Sequence, residues 1–160
     1  MTILPANAAH IPGMISLLRQ VGQVHRDIRP DLFREGVQKY NEADLTKLLT
    51  DESCPIFIAE EDGKVVGYCF CQWRIYSGNP VLTDRKELYI DDLCVDEAAR
   101  GTGVASRLYR HVIAYAREQG CAYITLNVWC GNLNAQRFYE HMGMQQRSIT
   151  MEMPLEDTKC

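Results

Sequence analysis

Two short clusters of residues carry the chemistry that this sequence predicts. The first is the turn Arg100-Gly-Thr-Gly-Val-Ala-Ser106, which follows an apolar run and precedes a helical pattern. A turn between a strand and a helix presents unpaired N–H groups and the positive end of the helix dipole, a combination that favours phosphate. Gly101 and Gly103 would let the backbone approach such an anion closely. A tight turn without a ligand is the alternative interpretation, and two glycines alone do not separate the two.

The second cluster is the carboxylate pair Asp91 and Asp92, which interrupts the otherwise apolar strand pattern of residues 87–95. A carboxylate in an apolar strand can accept a proton or hold a cation. The alternative is that neighbouring arginines or loop amides satisfy both side chains, since buried charges are normally paired. Strand alternation places the two carboxylates on opposite faces unless a bulge intervenes.

The elements that position these clusters follow from hydrophobic periodicity and turn residues. An Asp62-Gly63 turn predicts a β-hairpin, and a helical stripe from Val104 to about residue 119 is stopped by Gly120. The remaining predicted elements are a strand at 3–5, helices near 11–22, 43–49 and 134–141, strands at 87–95 and 122–129, and one or two final strands at 144–153. We therefore predict an α/β fold with a mixed sheet of six to seven strands flanked by about four helices, parallel only across the helix that begins at Val104.

Composition limits the class of protein. The 160 residues, 46% apolar, suffice for one core, so residues 1–160 are predicted to form a single domain. A net charge of -4 argues against a nucleic-acid partner, because phosphates require a basic surface. No apolar run approaches the roughly 20 residues of a membrane span, and the N-terminus lacks a secretory pattern. We expect no membrane association and a cytoplasmic location.

The cysteines and histidines do not predict a metal site. The seven cysteines include no Cys-x-x-Cys pair, and the four histidines lack the i, i+4 spacing of a helical metal site. Cys69 and Cys71 alternate along a predicted strand, where cysteine behaves as a small buried hydrophobe. No metal is expected.

Three kinds of phosphate site compete for the glycine turn. A Walker loop is excluded because no Gly-Lys-Ser/Thr follows, and a dinucleotide fingerprint would need glycine or alanine at Ser106 and a second half-domain. Residues 100–105 instead match the pattern Arg/Gln-x-x-Gly-x-Gly/Ala, which resembles the pyrophosphate loop of the GNAT superfamily of acetyl-CoA-dependent N-acetyltransferases. The stretch Asn132-Leu-Asn-Ala-Gln-Arg-Phe-Tyr-Glu-His-Met-Gly143 is similar to a second GNAT signature.

The resemblance implies that acetyl-CoA is the cosubstrate. It implies that the backbone of residues 93–95 pairs with the pantetheine arm like an added strand, that the turn wraps the pyrophosphate, and that Asn132 contacts the coenzyme. The coenzyme residues expected on this basis are Leu93, Cys94, Val95, Arg100, Gly101, Thr102, Gly103, Val104, Ala105, Ser106 and Asn132. Tyr139 matches the tyrosine that many GNAT enzymes use as general acid, although an aromatic core role beside Phe138 is the alternative.

The resemblance is less direct for the proton acceptor and the acceptor amine. Asn127 stands where some N-terminal acetyltransferases carry a catalytic glutamate, and asparagine cannot accept a proton in its place. The run Tyr89-Ile-Asp-Asp-Leu-Cys-Val95 is instead similar to a run in the spermidine/spermine type of diamine acetyltransferases. On that basis Asp91 is the expected base and Asp92 an acceptor-binding residue. A water relay is expected because aspartate is one methylene shorter than the glutamate of that family, and the resemblance also implies a bulge in this strand. The predicted loop 24–33 lies where GNAT acceptor sites are usually walled, so His25, Asp31 and Phe33 are expected to contact the acceptor; a solvated connector is the alternative.

We therefore expect direct acetyl transfer, in a ternary complex, to a primary amine of a small molecule such as a polyamine, an amino acid or an aminoglycoside. A protein or peptide amine acetyltransferase and a non-catalytic acyl-CoA sensor are the alternatives. A homodimer is possible, because GNAT domains commonly dimerise.

Overall fold

The computed structural model describes residues 1–155, which form one α/β domain. The strands are β1 (Thr2–Pro5), β2 (Ile56–Glu61), β3 (Lys64–Tyr76), β4 (Arg85–Val95) and β5 (Tyr123–Leu126). The helices are α1 (Ile11–Ile28), α2 (Glu42–Leu48), α3 (Val104–Glu118) and α4 (Leu133–His141). Within residues 1–155, no helix is both long enough and apolar enough to cross a lipid bilayer.

The sheet has the order β1-β2-β3-β4-β5. Neighbours are antiparallel from β1 to β4, and β4 and β5 are parallel, as the sequence predicts for strands joined by the α3 crossover. One apolar cluster lies between the sheet and α1 and α2, and a second lies between the sheet and α3. The sheet is therefore covered on both faces, and the ends of β4 and β5 lie between the two layers of helices.

Local sequence explains the best-predicted elements. Asp62 and Gly63 both have positive φ, 48° and 74°, so they form the tight hairpin turn between β2 and β3 that the Asp-Gly pair predicts. α3 packs closely on β3, because a Cβ at Gly67 would lie 2.9 Å from Leu108. The first two turns of α3 therefore lie directly against β3.

Helix α1 is longer than predicted. We expected a loop from residue 24 to 33, but α1 continues to Ile28, and His25 lies in its last turns. Charged residues such as Arg26 and Asp27 are compatible with a helix whose outer face is solvated, so their charge did not indicate an end. The connecting loop is residues 29–41.

The predicted sixth and seventh strands are absent from residues 1–155, and the sheet has five strands. Residues 145–155 do not join the sheet, although their apolar side chains alternate as in a strand. These side chains are 73% to 92% exposed: Ile149, Met151, Met153 and Leu155. Alternation is a local pattern, whereas a strand also needs a hydrogen-bonded neighbour, which this segment does not have.

Ion pairs hold the same C-terminal segment against the domain. Arg147 donates two hydrogen bonds of 3.0 Å to Glu87, a carboxylate that is only 1% exposed. Farther along, Arg29 at the end of α1 pairs with Glu152 at 2.6 Å. The segment is therefore positioned by charge rather than by a backbone ladder.

Candidate functional site

A bulge in β4 opens the sheet beside the glycine turn. On one side of β4, Phe70 pairs with Asp92 and Cys71 pairs with Ile90, so Asp91 is the extra residue. On the other side, β4 pairs with β5 only from Glu87 to Ile90. Residues 91–95 therefore present an unpaired strand edge, which a short 3₁₀ helix, Glu97–Ala99, connects to the turn.

The turn at the end of that edge has the geometry of an anion site. Gly101 and Gly103 have φ of 78° and 89°, a conformation that strongly favours glycine, and nothing lies within 4 Å of where a Cβ would stand. Gly103 caps α3 without any side-chain hydrogen bond. Within the described part of the chain, the N–H groups of residues 101–106 find no hydrogen-bond acceptor. These donors and the α3 dipole are available to a phosphate.

A cleft contains most of the residues predicted to hold the coenzyme. It is lined by Val95, Arg100, Gly101, Gly103, Val104, Ala105 and Ser106, together with Ala99 and Phe138. The cleft faces the first turn of α3 and the side of α4. It is the space into which the open edge of β4 leads.

Four predicted coenzyme residues lie outside the lining of this cleft, and three of them have side chains engaged elsewhere. The Thr102 hydroxyl donates to the Ala99 carbonyl at 2.7 Å, and Asn132 caps α4 by accepting from the Ala135 N–H at 3.2 Å. The Cys94 thiol is buried toward α1, and burial raises its pKa to about 12. The backbone of Leu93 and Cys94 belongs to the unpaired edge, so it is available for the pantetheine contact predicted for these residues.

Tyr139 follows Phe138 in α4 and packs in the α3-side apolar cluster, outside the lining of this cleft. Its ring packs edge-on against Phe138 and Tyr109, with centroids 5.1 and 5.9 Å away. Burial, followed by the nearby Cys69 and Asp92, raises the pKa of the Tyr139 hydroxyl well above its usual value. The phenol therefore stays protonated at neutral pH and can donate a proton or a hydrogen bond.

The bulge also decides where the two carboxylates point. Before it, Leu88 and Ile90 face the α3 side of the sheet; after it, Cys94 faces the α1 side. The alternation of side chains is therefore reversed across the bulge. Asp91 bonds to Tyr40 and Asp92 to Tyr68, and both tyrosines contact the α1-side core. Regular alternation would have separated them.

Asp91 is held by two groups from the loop between α1 and α2. Its Oδ2 accepts from Lys39 Nζ at 2.7 Å and from the Tyr40 hydroxyl at 2.8 Å. The Tyr40 ring packs on Phe70 at 5.6 Å, which fixes the hydroxyl. The Asp91 side chain is 25% exposed, so the pair lies at the edge of solvent.

Asp92 is in a more apolar environment. Its Oδ2 accepts one hydrogen bond of 2.8 Å from Tyr68, whose own side chain is fully buried. Burial raises the pKa of the Asp92 carboxyl from 3.8 to about 6, although the Tyr68 hydrogen bond lowers it. Asp92 can therefore change its protonation state near neutral pH.

The three acceptor residues predicted from the N-terminal third lie near one another at the end of α1. His25 packs on Phe33 at 5.1 Å, and Phe33 packs edge-on against Trp129 at 5.3 Å. Asp31 pairs with Arg29 at 2.7 Å, which lowers the Asp31 pKa. His25 and Phe33 thus form part of an aromatic wall, while Asp31 is neutralised within the loop.

Sequence reasoning missed the partners of the carboxylates, namely Lys39, Tyr40 and Tyr68. Lys39 and Tyr40 lie in a loop with no motif, and Tyr68 was predicted only as a strand residue. Tyr68 lies in the predicted hairpin, but its hydrogen bond to Asp92 depends on which face of the sheet Asp92 occupies, and the residue types do not give the position of the β4 bulge that sets this. Within residues 1–155, no group of three or more histidine, cysteine, aspartate or glutamate residues is arranged to hold a metal ion.

Comparisons with known proteins identify the family of the chain. The profile of the acetyltransferase (GNAT) family matches residues 22–144. An uncharacterized N-acetyltransferase of Methanocaldococcus jannaschii, MJ1207, is 30% identical over 93 residues, which are 58% of this chain and 40% of that protein. Human N-acetyltransferase 8 is 31% identical over 105 residues, which are 65% of this chain and 44% of that protein. The chain thus spans less than half the length of these two relatives.

Solved structures show the same architecture. A mutant of the BH1408 protein from Bacillus halodurans superposes with a TM-score of 0.94 at 29% identity, over 98% of this chain and all of that one. An aminoglycoside N-acetyltransferase, AAC(6')-Iy in complex with CoA, gives a TM-score of 0.70 at 19% identity, over 96% and 99% of the two chains. The second likeness concerns the fold alone. With a family profile that covers most of its residues, the chain belongs to the GNAT acetyltransferase family.

Proposed function

We propose that this protein transfers the acetyl group of acetyl-CoA to a primary amine by direct attack in a ternary complex. The observation that carries the proposal is the unpaired edge of β4, residues 91–95, together with the glycine turn of residues 100–106, which follows a few residues later and has free N–H donors. An extended pantetheine arm can add to such an edge as a strand would, and a pyrophosphate can accept from the turn. The GNAT family uses acetyl-CoA, so the fold and the donor set agree.

The residues that would hold the coenzyme are mostly backbone. The edge at residues 93–95 would hold the pantetheine arm, and the turn at residues 101–106 would hold the pyrophosphate. Open space at Gly101 and Gly103 leaves room for the phosphate oxygens. Bound acetyl-CoA supplies the activated thioester. The protein has to position the amine, accept a proton from it and donate a proton to the departing thiolate.

The amine has to lose a proton before it attacks. An amine of pKa about 10.4 costs about 4.6 kcal/mol to deprotonate at pH 7. We predicted Asp91 as the base from the family resemblance, but the contacts favour Asp92. The Asp92 pKa of about 6 suits a group that takes up a proton near neutral pH. The bonded oxygen of Asp92 accepts from a neutral hydroxyl, whereas that of Asp91 also accepts from the Lys39 ammonium group.

Asp91 suits the other role. Its carboxylate already binds an ammonium group, that of Lys39, and lies at the edge of solvent. A negative charge that binds an ammonium group would orient a protonated acceptor next to Asp92. The proposal thus exchanges the roles first expected for the two aspartates.

Tyr139 is the proposed proton donor to the departing thiolate. Burial keeps its hydroxyl protonated, and its ring is fixed by Phe138 and Tyr109. A fixed neutral phenol can donate to sulfur as negative charge develops there. His25 and Phe33 are proposed to bound the acceptor side of the site, whereas Asp31 is not, because Arg29 already binds it.

Two measurements test the proposal together. Coenzyme A should raise the melting temperature, since a ligand at a hundredfold excess over Kd stabilises the native state by about 2.7 kcal/mol. Acetyl-CoA with a panel of polyamines, amino acids, aminoglycosides and peptides should release thiol for at least one class. Binding without release for any class would favour a non-catalytic sensor, and no binding would refute the coenzyme site.

A further inference from the structure

The loop between α1 and α2 places a lysine of the protein itself on the carboxylate proposed to bind the acceptor. Lys39 Nζ lies 2.7 Å from Asp91 Oδ2 and 3.5 Å from the Asp91 backbone oxygen. It also lies 5.4 Å from the centre of the Tyr40 ring. A carboxylate, a carbonyl and an aromatic face are together a typical environment for an ammonium group.

Contacts along α1 hold the loop in this position. Arg26 donates to the backbone carbonyl oxygens of Pro30 and Phe33, and Arg19 donates to the Gln38 side chain at 3.0 Å. The Val37 carbonyl approaches α1 so closely that a Cβ at Gly22 would lie 3.1 Å from it. The loop therefore runs back along the helix and delivers Lys39 to β4.

The ion pair between Lys39 and Asp91 is weak. The Lys39 side chain is 44% exposed, and an ion pair at that exposure is screened by water. Asp91 also accepts a hydrogen bond of 2.8 Å from the Tyr40 hydroxyl, a contact that does not involve Lys39. A second ammonium group can therefore replace Lys39 without dismantling the site.

We infer that Lys39 occupies the ammonium subsite as an internal competitor and that a cationic acceptor binds by displacing it. Lys39 thereby acts as a specificity-determining residue. An acceptor that displaces Lys39 breaks the Lys39–Asp91 ion pair, and only a positively charged acceptor can form a new ion pair with Asp91 in its place. An uncharged acceptor would leave Asp91 without a cation and gain nothing from that contact. This inference rests on the proposed function for its meaning but on the Lys39–Asp91 geometry for its test.

Affinity for a defined cation provides the test, without turnover. Calorimetry with coenzyme A present should show 1,4-diaminobutane binding about three- to tenfold more tightly to Lys39→Met than to wild type, the range expected when a partly exposed ion pair no longer competes. The matched control is Lys47→Met, which removes the same charge from α2 away from β4 and should change the affinity less than twofold. Unchanged or weaker binding by Lys39→Met would overturn the inference.

A second readout follows Lys39 in the unmodified protein. When 1,4-diaminobutane binds, the freed Lys39 amine should react at least threefold faster with an acylating reagent, relative to Lys47 in the same sample, as measured by peptide mass spectrometry. The uncharged match, 1,4-butanediol, should leave the ratio unchanged. A constant ratio with the diamine would also overturn the inference. Thiol release is scored separately, so a failure of amine acetylation and a failure of the Lys39 competition are distinguishable.

Discussion

The two halves of the candidate site are built in different ways. The glycine turn is one continuous stretch, residues 100–106, whose positive φ angles and free N–H groups come from adjacent residues. The carboxylate half is assembled from separate parts of the chain: Asp91 and Asp92 in β4, Tyr68 in β3, and Lys39 and Tyr40 in the α1–α2 loop.

Because of this difference, substitutions are expected to have different effects in the two halves. The turn depends on backbone conformation, so a single side chain added there changes both the conformation and the space for a ligand. The carboxylate half depends on charge and burial, so its residues can be changed one at a time while the fold persists. Substitutions in the turn should therefore abolish coenzyme binding, whereas substitutions at the carboxylates should alter rate, affinity or pH dependence.

The largest effect is expected for Gly103→Val. The substitution adds a side chain where φ is 89°, and it fills the space beside the free N–H groups. Affinity for coenzyme A should fall by more than about 100-fold, because a good phosphate contact is worth several kcal/mol when all its donors act together. The thermal shift with coenzyme A measures it.

The control for strain is Gly63→Val in the β2–β3 hairpin, where φ is 74° and there is also open space. Both variants should lose about 1–2 kcal/mol of stability. Only Gly103→Val should lose the coenzyme shift. A normal shift in a folded Gly103→Val protein would exclude the turn as the pyrophosphate site.

The next effect belongs to Tyr139→Phe, which removes the hydroxyl and keeps the ring packing. Turnover should fall about 100-fold, in the range of a lost general acid, while the affinity for coenzyme A stays within twofold. Tyr109→Phe, a neighbouring ring 5.9 Å away, is the control and should retain turnover. Equal losses in the two variants would indicate a packing role for Tyr139.

A smaller effect separates the two aspartates. Asp92→Asn should lower kcat about 10- to 30-fold at pH 7 and abolish the decline in wild-type kcat/KM as pH falls through about 6, where the carboxyl takes up a proton. Asp91→Asn should instead raise KM for a cationic amine with little change in kcat. The reverse pattern in the pH profiles would restore Asp91 as the base.

The smallest effect concerns stability. Because burial raises the Asp92 pKa above 3.8, the folded protein binds this proton more tightly than the unfolded chain. That stabilisation is present in full below pH 3.8 and is lost as the pH rises through about 6. Asp92→Asn, which never ionises, should therefore be more stable than wild type by about 1–2 kcal/mol at pH 8, allowing for partial exposure.

Urea unfolding at pH 8 and pH 4 measures this difference, which should disappear at the lower pH. Asp91→Asn is the contrasting variant, since it removes a carboxylate that is paired with Lys39 and should not stabilise the protein at pH 8. Equal stability of wild type and Asp92→Asn at both pH values would show that ionisation of Asp92 does not destabilise the folded protein.

The elements of the fold followed from the sequence where the pattern was local. The Asp62-Gly63 hairpin and the limits of α2, α3 and α4 agree with prediction to within about two residues. Prediction failed where neighbours decide the outcome: α1 continues through charged residues to Ile28, and the alternating residues 145–155 form no strand within the described chain. Both errors arise because hydrophobic periodicity shows which side chains share a face of a segment but not which neighbouring elements pack or pair with that segment.

For the site, the sequence alone determined the turn, the presence of two adjacent carboxylates and the candidate acid Tyr139, because residue types and spacing within one segment are sufficient to define them. Tertiary structure decided what those carboxylates can do. The bulge at Asp91 turns both side chains toward the α1-side layer, Tyr68 and burial set the Asp92 pKa, and a loop about 50 residues earlier delivers Lys39 to Asp91. Protonation and ion pairing depend on the solvent and charges around a group, and only the folded chain brings those distant groups together.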